Sequence, residues 1–260
     1  MSDLPRRLEL PSPLGFALLV AAAALVITSL QGIGFSASGF FSGLPHMGRM
    51  LGEMFPPSLE RAAPMGKALL ETFQMALVGT VAGVALSLPL AVLATRHLSP
   101  HATVYHAARA LIALFRTVPD LVWALFFVVA VGLGPFAGTL ATTVDIIGFC
   151  GRFFAEAMEE AERGPQEALH ALGAGRAAVI AAAVIPAAMP SLINTSLFSL
   201  EKATRSSVVL GLVGAGGIGI ELQVSMDLFR YAEASAIIIA IFILVVAVEQ
   251  CSAWLRRRLI

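Results

Sequence analysis

The residues in this sequence whose types could do chemistry are ionisable side chains set inside long apolar stretches. A charged side chain near the centre of a bilayer costs about 2.5 to 3.5 kcal/mol on insertion scales, so each one needs a reason to be there. Glu201, Lys202 and Arg205 fall together in one such stretch, with Glu201 and Arg205 four apart in the acid-first order that suits a helix. Arg116 and Asp120 repeat that spacing around Pro119, and Asp145 stands in a further stretch with no local partner. Glu249, near the end of the last stretch, is expected at an interface. Two roles are open to Arg116 and Arg205. They lend positive potential to an anion path, or their own carboxylates, Asp120 and Glu201, neutralise them and the pairs stabilise a bundle.

Enzymatic chemistry has less to work with. No His/Asp/Glu constellation has the density of an active site, so a membrane-embedded enzyme ranks last. Cys150 and Cys251 lie in or beside apolar runs, where a cysteine acts as a small hydrophobe, and no Cys/His cluster has metal-ligand spacing. Neither a metal nor a cofactor is expected. Gly214-Ala215-Gly216-Gly217-Ile218-Gly219 formally fits G-x-G-x-x-G, but a dinucleotide site needs a preceding strand, and this match follows an apolar segment with two prolines. Five glycines between Gly211 and Gly219 instead predict a break in helix. Such a break is tolerated at membrane depth where it is buried or lines a cavity, and it serves gating, close helix packing, or both. The phosphate-loop pattern G-x-x-x-x-G-K-[ST] occurs nowhere, so any ATP-driven process must take its hydrolysis from a separate subunit.

The elements that must position these residues are set by composition. Of 260 residues 58% are hydrophobic and only 13% charged, against about 25% charged in soluble domains, and mean hydropathy is +0.85. Net charge is zero, which gives no basic balance for nucleic acid. A spanning helix needs about 20 apolar residues. Six segments qualify, at about 14–31, 69–95, 110–132, 136–157, 177–206 and 232–254. The first follows Arg6 and Arg7 and is long for a signal-peptide core, so it reads as an uncleaved span. Residues 1–68 then form an N-terminal span with an external loop (32–68, with room for a surface helix), and 69–260 form the main transmembrane domain. Arg6/Arg7, Arg96/Arg109, Arg152/Arg163/Arg176 and Arg256–Arg258 fall on one side of this arrangement. The positive-inside rule makes that side, with both termini, cytoplasmic. Arg49, Arg61 and Lys67 in the external loop leave the bias incomplete. No internal repeat is visible, which argues against inverted-repeat transporters.

Between the fourth and fifth spans, Gly164-Pro165 breaks the chain and a helical segment, about 166–176, follows. Glu167-Ala168-Leu169-His170-Ala171-Leu172-Gly173, with Pro186 thirteen residues beyond the glycine, resembles the E-A-A-x-x-x-G loop of ABC importer permeases. Leu169 stands where that pattern has a second alanine, and Ala183 and Ile185 where isoleucine and leucine are usual. The physical logic is a short cytoplasmic helix (loop about 163–177) presenting small and apolar residues to a groove, with Glu167 near its positive end and Gly173 at its turn.

From about Glu71 to the C-terminus the chain is similar to phosphonate-type ABC permeases. The similarity is carried by residues 118–125 (VPDLVWAL), 131–138 (VGLGPFAG), 154–157 (FAEA) and 208–219 (VVLGLVGAGGIG), and by Ser252-Ala253 before the terminal arginines. That resemblance implies an all-α polytopic protein of six transmembrane helices with the type I ABC importer permease fold, in the bacterial inner membrane. The implied activity is import of a phosphonate, phosphite or hypophosphite. The implied partners are a cytoplasmic ABC ATPase dimer, a periplasmic substrate-binding protein and a second copy of this chain, in a lipid bilayer. Glu167, Ala168, Leu169, Leu172 and Gly173 would couple to the ATPase. Arg116, Asp120, Glu201, Arg205, Gly214, Gly216, Gly217 and Gly219 are the candidates for gate and path. The competing class is a self-sufficient, ion-coupled secondary transporter or channel using the intramembrane charges.

Overall fold

The structure, a computed structural model, describes residues 12–34 and 36–259. Arg6 and Arg7, on which part of the orientation argument rests, lie outside the described residues. Two compact units divide the chain, 1–52 and 53–260. Among the described residues all regular structure is helical.

The first unit holds α1 (Pro13–Gly32) and nearly all of α2 (Ala37–Glu53). Pro13 opens α1 where its missing N–H costs nothing, and the Ser12 hydroxyl accepts a hydrogen bond from Gly15 N–H at 3.2 Å. α1 is apolar all round and buries no residue in the protein, the surface of a helix whose neighbours are lipid tails.

The second unit is a bundle of α3 (Ala62–Leu93), α4 (Ala102–Thr117), α5 (Asp120–Val131), α6 (Pro135–Glu160), α7 (Arg163–Ala171), a rod from α8 (Arg176–Val179) through a π turn (Ile180–Val184) to α9 (Ile185–Gly211), α10 (Ile218–Asp227) and α11 (Tyr231–Leu259). Its core is the seam between α3 and α6. Gly79, Gly83, Ser87 and Ala91 recur every four residues on the buried face of α3. A β-carbon at Gly79 would stand 2.8 Å from Thr142, and one at Gly83 would stand 2.6 Å from Ile146. Without a hydrophobic force between helices in lipid, this close approach of small residues supplies the dispersion contacts that hold the seam. Ser87 donates to its own Gly83 carbonyl at 2.6 Å, so the buried hydroxyl is satisfied.

Among the described residues, four helices are long and apolar enough to cross a membrane, five if α4 and α5 count as one broken span. The fourth predicted segment lies on α6, which has 26 residues but is less apolar than the others. It is packed by α3, α4, α5 and α9, and a helix surrounded by protein has less need of an apolar surface. The third predicted segment is corrected: 110–132 is not one continuous helix. Val118 is extended (φ −80°, ψ 121°) ahead of Pro119, and α4 and α5 meet at 90°, because proline lacks the N–H and excludes its predecessor from the helical region. Pro186 and Pro190 do not interrupt the fifth segment, since the helix widens into the π turn just before Pro186 and runs on from Arg176 to Gly211. α2 fills much of the expected loop, α3 begins at Ala62 rather than Leu69, and α10 had no counterpart in the sequence reading.

Candidate functional site

The segment after α6 forms the expected short helix, but it ends earlier than the spacing suggested. α7 runs from Arg163 to Ala171 and is closed by a turn in which Gly173 takes φ +84°. Gly173 N–H donates to the His170 carbonyl at 2.9 Å, and Ala174 N–H donates to the Leu169 carbonyl at 3.0 Å. This paired closure satisfies the last carbonyls and requires a left-handed residue, which glycine supplies without strain. The helix is amphipathic in an unusual sense. At about 100° per residue, Arg163, Gln166, Glu167 and His170 share one face, and Pro165, Ala168, Leu169 and Leu172 share the opposite one. The polar face borders a cavity, with Gln166 buried but Arg163, Glu167 and His170 exposed; on the opposite face Ala168 is exposed, Leu169 half-buried and Leu172 84% exposed. Of the coupling candidates, Ala168 and Leu172 are exposed on one face with half-buried Leu169 beside them and Gly173 at the end, and Glu167 is exposed on the other face.

The glycine-rich segment is the expected break in helix. It lies between α9 and α10, with Gly214, Gly216 and Gly217 at φ +84°, +91° and +78°. Its backbone polar groups are met by side chains from α3. Gly217 N–H donates to Glu71 Oε1 at 2.7 Å and Ile218 N–H donates to Thr72 Oγ1 at 2.8 Å, while Gly134 N–H donates to the Gly214 carbonyl at 3.0 Å. Glu71 is thus the acidic cap of α10, matched to the positive end of that helix. It sits nine residues into α3, about 13 Å along it at 1.5 Å per residue. A β-carbon at Gly216 would meet Pro135 backbone atoms at 2.6 Å, and one at Gly219 would meet the Val208 carbonyl oxygen at 2.0 Å. The loop is a tight plug against the start of α6. Sequence reasoning missed Glu71 and Thr72; the available signal was a carboxylate just inside an apolar run.

The intramembrane charges are partnered differently from their sequence spacing. Glu201 does not pair with Arg205. Its carboxylate, only 9% exposed, accepts from Arg256 Nη2 of α11 at 2.5 Å. Arg116 and Asp120 do not pair either, because the chain turns at Pro119 between them; Asp120 Oδ1 instead accepts from Leu121 N–H at 2.9 Å. Asp145 has a partner after all, Lys202 Nζ at 2.7 Å, and that ammonium also lies 5.0 Å from the centre of the Phe149 ring. Adjacent residues of α9 therefore tie it to α11 through Glu201 and to α6 through Lys202. Arg205 and Arg116 are both exposed, and among the described residues neither forms an ion pair. Arg116 ends α4 where that helix packs on Gly148, and it shares a cleft of about 210 Å³ with Arg109, Arg152 and Glu156.

Residues 83–260 match the family described as the binding-protein-dependent transport system inner membrane component. The chain belongs to this family. It is 42% identical over 208 residues to the phosphate-import permease protein PhnE of Mycolicibacterium smegmatis, a match covering 80% of this chain and 39% of that one. It is 39% identical over 215 residues to the putative phosphite transport system permease protein HtxC of Stutzerimonas stutzeri (83% and 76% of the two chains), and 37% identical over 221 residues to PtxC, the phosphite transport system permease protein of the same organism (85% and 80%). The permease thus spans about two fifths of the mycobacterial relative and at least three quarters of the two others. Its fold is that of the methionine ABC transporter MetNI in inward-facing conformations, with a TM-score of 0.67 at 23% identity over 78% of this chain and 99% of that one. The type I importer permease fold and the permease role both stand on these likenesses, and the ion-coupled alternative finds no support in them.

Proposed function

We propose that this permease acts as a homodimer, moved by a pair of cytoplasmic ABC ATPase subunits, to import a phosphorus oxyanion handed over by a periplasmic binding protein. The oxyanion class is supported by the relatives, whose names specify phosphate or phosphite. Dimerisation follows from a count: one α7 per chain, for an engine of two ATPases. The single observation that carries the coupling role is Leu172 at the end of α7, since a leucine left 84% exposed on a polar loop suits a partner's groove. The arginine distribution, with Arg163 and Arg176 flanking α7, supports a cytoplasmic α7 loop and cytoplasmic termini. Arg205 and Arg116, which form no ion pair among the described residues, supply positive potential to the anion path, and the segment Gly214–Gly219 with Asp120 near the α4–α5 bend forms gate elements. Glu201, neutralised by Arg256, holds α9 in place.

The test is Ala168→Glu or Gly173→Glu. Either places a carboxylate in a docked contact, and burying an unpaired charge costs several kcal/mol, on the order of 3–5. The variants should insert normally, lose the ATPase on purification and fail to stimulate its hydrolysis. Retention of the ATPase and uptake at the parent rate would remove the coupling assignment.

A further inference from the structure

The polar face of α7 borders a second feature. Arg163, Gln166, Glu167 and His170 line a cavity of about 350 Å³ together with His97 and Leu98 from the α3–α4 loop and Arg176, Val179 and Ile180 at the start of the α8–α9 rod. His97, Arg163, Glu167, His170 and Arg176 all remain exposed, so this is an open, charged pocket whose lining also includes buried Leu98, Gln166 and Val179. Neither Arg163 nor Arg176 forms an ion pair among the described residues, nor does Glu167. Gln166 is buried, with its amide nitrogen committed to the Glu162 carbonyl at 3.0 Å. Glu159, which acts on His97, is held by Arg109 at 2.8 Å.

We propose that this cavity binds a small phosphorus oxyanion that carries an ionisable P–OH group. Two guanidinium groups supply the planar paired donors that match tetrahedral oxyanions, and two imidazoles add further donors. Partial desolvation and the charge of Arg163 hold the His97 pKa below its ordinary value, against an opposing pull from Glu159, which keeps the ring a neutral donor. Glu167 decides the chemical class. A carboxylate among arginines repels a fully ionised anion, but it accepts a hydrogen bond from a P–OH. Hydrogenphosphate, hydrogenphosphite and alkylphosphonate monoanions carry that proton. Sulfate does not at neutral pH, and neither does the phosphodiester of a lipid headgroup. The inference rests on the oxyanion transport proposed above for choosing phosphorus, while the site itself lies outside the path and on the face of α7 turned away from the ATPase groove.

The experiment is a titration of the full-length permease, with histidines isotopically labelled, in phosphatidylcholine nanodiscs and without ATPase or transport. His97 and His170 report from the cavity; His46, His101 and His106, which do not line it, are internal controls. Inorganic phosphate should shift the His97 and His170 resonances saturably and leave the controls in place, and Arg163→Gln with Arg176→Gln should weaken that binding by about tenfold or more. Sulfate should bind the parent far more weakly than phosphate, and Glu167→Gln should gain sulfate binding, a reversal that misfolding cannot produce. Repeating the titration with phosphatidylglycerol in the nanodisc should leave phosphate binding unchanged if the ligand is the free oxyanion. Shifts spread over all five histidines, equal binding of sulfate and phosphate by the parent, or displacement of phosphate by the anionic lipid would each overturn the proposal. Transport is measured separately, so this site can fail while ATP-driven uptake stands, and the reverse.

Discussion

Gly216→Ala tests whether the glycine loop is a tight plug. Gly216 has φ +91°, and its added methyl would stand 2.6 Å from the N and Cα of Pro135 and 3.0 Å from Glu71 Oε1. The close neighbours are backbone, so no flexible side-chain end can move aside. An L-residue in the left-handed region costs about 1–2 kcal/mol. Forcing a methyl into packed structure adds about 1–3 kcal/mol. Gly173→Ala isolates the first of these, because Gly173 has φ +84° with nothing within 4 Å of its added methyl. Both variants stiffen the unfolded chain alike, so that effect cancels between them. The difference should therefore be about 1–3 kcal/mol, with Gly216→Ala the less stable. At about 2–4 °C per kcal/mol for a chain of this size, the midpoint of thermal unfolding in detergent should separate the two by several degrees. Equal midpoints would refute the plug, since they would mean the loop yields to a methyl group without cost.

Asp145→Asn should destabilise the permease by about 1–3 kcal/mol, discounted from a fully buried pair because Lys202 is partly exposed, and the double variant with Lys202→Met should recover most of the loss, as read by thermal midpoint. His97 should titrate below the 6.5 of an unperturbed imidazole; Arg163→Gln should raise that value and Glu159→Gln should lower it further, followed by histidine resonances. With the folded-state pKa depressed, the unfolded chain takes up its proton first, so this residue's contribution to stability is present above pH 6.5 and declines as pH falls through it.

The sequence by itself determined what depends on one helix or one turn at a time. Hydrophobic length located α1, α3, the α8–α9 rod and α11, because lipid imposes the same length on every span regardless of its neighbours. Gly173 was legible because a helix ending in the left-handed region calls for glycine whatever surrounds it, and the break at Gly211–Gly219 was legible for a related reason. The motif Glu167–Gly173 together with the segments 118–125, 131–138, 154–157 and 208–219 carried the family, and the match over residues 83–260 bears that family out.

Only the tertiary structure decided which charges meet. Spacing of four along the chain suggested Glu201 with Arg205 and Arg116 with Asp120. Glu201 instead reaches Arg256, fifty-five residues on, and Pro119 turns Asp120 away from Arg116. A local i, i+4 pair is worth only about 0.2–0.5 kcal/mol on a helix surface, so a buried partner on a neighbouring helix displaces it. The same holds for Lys202 and Asp145, and for Glu71, whose value as a cap exists only because α3 runs beside the glycine loop. α10 escaped sequence reading because ten residues are too few for a span and its start is defined by that distant cap. The direction in which α7 turns its apolar face was likewise settled by packing. Periodicity fixes which residues share a face of a helix, and only its neighbours decide which of them are buried, as Gln166 is, and which stay exposed, as Ala168 and Leu172 do.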